Sequence, residues 1–172
     1  MKSFIALIFA VILHITFNTE AQVLKDTTAE EYLNFGEQFM QQENFNAAYS
    51  AFDKAVKLSP TAKHYTKRAI CLMFLSQMKE ALQDFDEAIK IDPNFAEAYL
   101  FKGSIYQLME DYDIAISLYS KAIKANPKYA DAYMMRGLLL RVNNKKEACK
   151  DLKKAVDLGS HKALNAYQET CN

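Results

Sequence analysis

The hydrophobic positions of this chain fall into two regimes. From Phe4 to Ile15 they run together, interrupted only by His14. From Ala29 on they are spread out, and they return with tiny residues at fixed offsets every 33 to 34 residues. The punctuation keeps the same period. The three prolines, Pro60, Pro93 and Pro127, lie 33 and 34 residues apart, and the glycines Gly103 and Gly137 lie 34 apart. Rare structure-breaking residues that recur at one period mark a repeat, each unit being one supersecondary element. The units run 29–61, 62–95, 96–129 and 130–159, with a tail at 160–172.

Stacking the units shows what recurs. An aromatic opens each one: Tyr32, Tyr65, Tyr99, Tyr133. A tiny residue follows four positions later: Gly36, Ala69, Gly103, Gly137. Next comes an alanine (Ala48, Ala81, Ala115, Ala148), a bulky group (Phe52, Phe85, Tyr119, Leu152) and another alanine (Ala55, Ala88, Ala122, Ala155). Residues with little or no side chain let two helix backbones approach closely. The aromatics fill the gaps so created, since interiors pack to crystal-like density. Proline ends the second helix of the first three units, where its missing N–H costs nothing. Gly159, a helix C-cap residue, closes the fourth, and the turn between the two helices of that unit is one residue short. The pattern predicts helix pairs at 29–42 and 45–58, 62–75 and 78–91, 95–109 and 112–125, and 129–142 and 145–158. A last helix at 160–171 follows, N-capped by Ser160, with Leu164 and Tyr167 covering the end of the stack.

This pattern resembles the tetratricopeptide repeat (TPR), a unit of two antiparallel helices. Tyr112-Asp113-Ile114-Ala115-Ile116 and Ala122-Ile123-Lys124-Ala125-Asn126-Pro127 are similar to the family's usual wording. The resemblance spans about Ala29 to Ser160. It implies an all-α fold: a right-handed superhelix (α-solenoid) of four helix-turn-helix repeats plus a C-terminal capping helix. It also implies that positions two, five, nine, twelve and thirteen of each unit line a concave groove. The partner-binding candidates on that ground are Leu33, Met40, Ile70, Met73, Phe74, Leu100, Gln107, Leu108, Met134, Leu138 and Arg141. Glu30, Glu37, Glu97, Asp131 and Lys63 rim the strip. The carboxylate clamp of chaperone-docking TPR domains needs Lys at position five and Asn at position nine. Leu33 and Glu37 stand there instead, so an acidic C-terminal tail is not the expected ligand. A methionine-rich apolar strip adapts to varied partners, and an amphipathic helix or extended apolar peptide suits it. Burial against a second copy, or plain packing between neighbouring helices, are the competing accounts of the same residues.

The first regime changes the picture of location. Lys2, the apolar run and Thr19-Glu20-Ala21 read as a signal peptide over 1–21, cleaved before Gln22, with a linker at 22–28. The run is shorter than the ~20 residues that span a bilayer; an uncleaved anchor is the alternative. The expectation is therefore an exported chain, with the periplasm as destination and secretion as the alternative, and no membrane insertion after cleavage. The remaining ~150 residues suffice for one domain with a workable core.

Charge and chemistry narrow the function classes. The 21 basic and 21 acidic residues balance, and nucleic-acid binders carry a basic excess or stripe, so no nucleic-acid partner is expected. The lysines at 145, 146, 150, 153 and 154 are interleaved with Glu147, Asp151 and Asp157 and read as a solvated helix face. Outside the leader the only histidines are His64 and His161, without metal-ligand spacing, and both read as surface residues. No phosphate loop or catalytic motif occurs, so neither enzyme activity, metal nor cofactor is expected. Cys149 and Cys171 fall at similar heights on the last two helices and are disulfide candidates, two buried thiols being the alternative. Cys71 reads as a buried, inert thiol. The expected function is an exported protein–protein interaction scaffold or adaptor. The alternative is a structural or self-associating subunit of an envelope assembly, a homo-oligomer.

Overall fold

The computed structural model describes residues 28–171. The signal peptide read at 1–21 and the linker up to residue 27 lie outside the described residues. The described chain is all-α, with nine helices among the described residues: α1 (Ala29–Gln41), α2 (Phe45–Leu58), α3 (Ala62–Phe74), α4 (Met78–Ile91), α5 (Ala96–Leu108), α6 (Tyr112–Ala125), α7 (Ala130–Leu140), α8 (Lys145–Asp157) and α9 (His161–Cys171). They form four antiparallel pairs stacked into a TPR superhelix, with α9 packed on α8. No helix of the described residues is long and apolar enough to cross a membrane.

Local chemistry sets the helix ends. Thr28 and Glu31 form a capping box: the Thr28 hydroxyl accepts from Glu31 N at 3.2 Å, and Thr28 N donates to the Glu31 carboxylate at 2.7 Å. Asn44, Thr61 and Asn144 cap α2, α3 and α8 through their side chains. The loops holding Pro93 and Pro127 are tight turns. Phe95 N donates to Asp92 O and Tyr129 N to Asn126 O, both at 3.0 Å. The Asp92 and Asn126 side chains bind the amides two residues on. The turn after Pro60 is different, and His64 serves it: the imidazole Nδ1 contacts the Ser59 carbonyl. His64 is thus buried, which corrects its reading as a surface residue; His161 is exposed.

Inside each unit the small residues do what close approach requires. Ala48, Ala55, Ala69, Ala81, Ala88, Ala115, Ala122, Ala148 and Ala155 are fully buried. A Cβ added to Gly36 would stand 2.3 Å from the Phe52 ring, and one on Gly103 2.7 Å from Tyr119. Neighbouring first helices approach each other, α1 to α3 and α3 to α5, whereas among the described residues successive second helices do not approach comparably. The first helices therefore line the inner, concave side of the curve.

A second ladder ties unit to unit. Arg68, Lys102 and Arg136 occupy position seven of repeats two to four. Each reaches back to the second helix of the preceding repeat: Arg68 to Asp53 at 2.7 Å, Lys102 to Asp86, and Arg136 to Ser120 at 2.9 Å. Arg68 and Arg136 also grip their own repeat, through two hydrogen bonds to Asp84 and to Asp151 at 2.7–2.8 Å. At the C-terminus the Cys149 and Cys171 sulfurs lie 2.12 Å apart with Cα atoms 5.6 Å apart. Cys71 is buried, its Sγ directed at the Phe45 carbonyl, and burial pushes its thiol up to about 11.

Candidate functional site

The concave candidates divide into three groups. Leu33 is 1% exposed and Leu100 5% exposed. Both are core residues, which corrects their placement in the groove: position five points into the stack rather than along its inner surface. Met40 joins the cluster around Leu33, Phe52 and Cys71. Met134 faces the C-terminal turn, its sulfur 3.9 Å from the Ser160 hydroxyl. Leu33 and Leu100 offer no open apolar surface, and Met40 and Met134 are half-buried.

The second group comes together. Ile70, Met73, Phe74 and Leu108 line an apolar pocket of about 210 Å³ with Met78 and Phe101. It lies between α3 and α5, near their C-terminal ends. Phe74 is 58% exposed and Leu108 68% exposed, so their rings and branches stand at its mouth. Phe74 is held by stacking on Phe45, with centroids 5.0 Å apart. Met78 and Phe101 went unread in the sequence because they sit outside the five groove positions. Position six, which holds Phe101, was the signal for one of them.

The third group lines a crevice of about 480 Å³ between repeats three and four. Gln107, Leu138 and Arg141 are joined there by Tyr112, Ile116, Leu139 and Val142. Gln107 is also a structural contact, since its Oε1 accepts the hydroxyl of buried Tyr119 at 2.8 Å.

The charged rim is less open than its composition suggests. Lys63 pairs with Glu30 at 2.7 Å. Lys67, at position six, bridges Glu97 at 3.2 Å and Glu37 at 3.7 Å, so it links three first helices. The hydrogen bond and charge of Lys63 hold the Glu30 carboxyl below its ordinary value. Asp131 forms no ion pair with another described residue. It and Glu97, after burial itself, keep the Tyr129 phenol neutral far into the alkaline range. Among the described residues no cluster of His, Cys, Asp or Glu is arranged to hold a metal.

A stack of helix pairs with an apolar pocket on its inner face defines the class: an α-solenoid of the kind that works by protein contact. The chain belongs to the tetratricopeptide repeat family. Models described as Tetratricopeptide repeat match residues 29–61, 62–95 and 96–129. It is 33% identical over 94 residues to Hsp70-Hsp90 organizing protein 3 of Arabidopsis thaliana, covering 54% of this chain and 17% of that protein. It is 32% identical over 89 residues to the DnaJ homolog subfamily C member 7 homolog of Dictyostelium discoideum, covering 49% of this chain and 16% of that protein. The chain thus spans only a small part of these relatives' length. The crystal structure of MamA is similar at a TM-score of 0.68 and 28% identity, over 83% of this chain and 86% of that one. The relatives correct the expected location. The Hsp70-Hsp90 organizing and DnaJ subfamily C proteins are cytosolic co-chaperones, neither periplasmic nor secreted, so the exported, periplasmic reading of the leader is not upheld.

Proposed function

We propose that this chain is a scaffold that seats an apolar or amphipathic segment of a partner protein on its concave face. The observation carrying this reading is the pocket of Ile70, Met73, Phe74, Met78, Phe101 and Leu108 between two first helices. Its lining supplies apolar contact without a charged group, so the anchor residue it accepts is aliphatic or aromatic. The neighbouring pairs Glu30–Lys63 and Lys67–Glu97 leave little unpaired positive charge on this face. With Leu33 and Glu37 at the clamp positions, an acidic C-terminal tail has nothing to bind. Selection of a random peptide library on the immobilised protein tests this. Enrichment of segments with spaced apolar residues, lost on an Ile70→Glu/Phe74→Glu protein of unchanged helicity, is expected. Enrichment of acidic C-termini instead would overturn the reading.

The second reading, a self-associating structural subunit, draws on uncovered apolar side chains outside the pocket, above all Val142 at 83% exposure. We also propose that Cys149 and Cys171 form a disulfide. Their Cα atoms, 5.6 Å apart on the adjacent helices α8 and α9, support it, and it would fasten α9, which buries only Ala163 fully. Peptide mapping of the unreduced protein tests this: a linked pair is expected, and two free thiols would refute it.

A further inference from the structure

The turns joining the helices of repeats three and four lie side by side on one edge of the stack. Apolar side chains are concentrated there: Leu108, Met109 at 54% exposure, Tyr112 at 49%, and Val142. The crevice floored by Ile116, Leu138 and Leu139 opens between them, with Asp113 and Arg141 in its lining. The charges on this edge are segregated by turn. Glu110, Asp111 and Asp113 sit at the turn of repeat three, and Arg141, Lys145 and Lys146 at that of repeat four, all exposed. None of the six forms an ion pair with another described residue, although elsewhere surface charges pair readily, as in Lys57–Asp53 and Lys153–Asp157.

A patch with an apolar centre and unpaired charges of opposite sign at its two ends is complementary to itself under a two-fold rotation. Rotation lays the acidic turn of one copy over the basic turn of the other and brings the two apolar centres together. That is the property an isologous contact requires, since the same patch serves both partners. An unrelated partner would need the same segregation of charge; a second copy has it by construction. We infer that this edge is a homodimer interface, with Met109 and Val142 of each copy set against the crevice of the other. The inference deepens the self-associating reading and does not depend on the pocket between α3 and α5.

Sedimentation equilibrium of the full chain tests it with two charge-swap variants, Glu110→Lys/Asp113→Lys and Arg141→Glu/Lys146→Glu, all six positions of the edge being on the surface. The wild-type chain is expected to have twice the monomer mass, and to lose it as salt rises. Each swap alone is expected to fall to monomer mass, with helicity unchanged by circular dichroism, because its two turns then carry one sign. An equimolar mixture of the two swaps is expected to recover the dimer mass, and Val142→Glu to prevent it. Phe74→Glu, which strikes the pocket, leaves the dimer intact, so the two readings fail separately. A wild-type chain that stays monomeric at its highest soluble concentration overturns the inference and gives this edge to another partner. Swaps that remain dimeric alone overturn it as well.

Discussion

Gly36 and Gly103 are where the stack comes closest to having no room. Each faces an aromatic ring that is itself wholly buried, and the added methyl of alanine would overlap that ring. A Cβ added to Gly137 would stand 3.0 Å from Leu152 Cγ and 3.2 Å from the Ala148 carbonyl, a tighter than ordinary but less severe contact. Overpacking of a dense core costs about 1–3 kcal/mol. Gly36→Ala is therefore expected near the top of that range and Gly137→Ala near the bottom, as read by urea denaturation. The inter-repeat cations give a second test at this scale. Asp151 has a side chain only 3% exposed beneath Arg136, and leaving such a carboxylate without its partner costs about 3 kcal/mol. Arg136→Met is expected to show that loss. Lys102→Met, whose partner Asp86 is 62% exposed, is expected to cost less than about 1 kcal/mol. Burial opposes ionisation of Asp53, but hydrogen bonds from Lys57 and Arg68 outweigh it and hold the carboxyl below its ordinary value. A depressed carboxylate contributes stability that is fully present above its unfolded value and lost as pH falls through the folded one. Below the ordinary aspartate value of 3.8, the wild-type chain should lose stability more steeply than Asp53→Asn.

At the scale of the element, the turns inside repeats one to three share one geometry. Glu43, Ser76 and Glu110 have φ of 57°, 60° and 64°. The amides there and one residue on return to carbonyls of the helix just ended, as in Glu110 N to Gln107 O at 3.1 Å and Asp111 N to Tyr106 O at 2.9 Å. Gly159 makes the same closure at φ 93° after α8. A side chain in this region costs ~1–2 kcal/mol, part of which glycine returns through its freer unfolded chain. Glu43→Gly is expected to raise the thermal midpoint, by up to about 1 kcal/mol of stability, and a lowered midpoint would contradict that geometry. These turns also show what sequence reading reaches. The helix positions came directly from the period of proline, glycine and alanine, because those residues act locally. His64 did not. Its burial arises because the turn after Pro60 lacks the Asp92 or Asn126 side chain of its counterparts and uses an imidazole on the next helix instead. The cation ladder escaped for a related reason. Arg68, Lys102 and Arg136 recur at 34 residues, but their partners change from Asp53 to Asp86 to Ser120.

At the scale of the whole molecule, the curvature sorts groove positions into different fates. Position five is pinned between neighbouring first helices, so Leu33 and Leu100 became core. Position thirteen lies at the helix end and stays open, so Phe74, Leu108 and Val142 became surface. A family pattern names both positions alike, since only the stacking geometry separates them. The proposed partner pocket between α3 and α5 and the proposed dimer edge at repeats three and four adjoin each other at Leu108. The most direct test of the scaffold reading uses the methionine methyls, which sample both. With 13C-methyl labelling, an amphipathic peptide drawn from library selection should shift the Met73 and Met78 signals, which line the pocket, and leave that of Met109, on the edge, unmoved. A shift confined to Met109, or none under conditions where the peptide binds, would contradict the placement of the partner in the pocket.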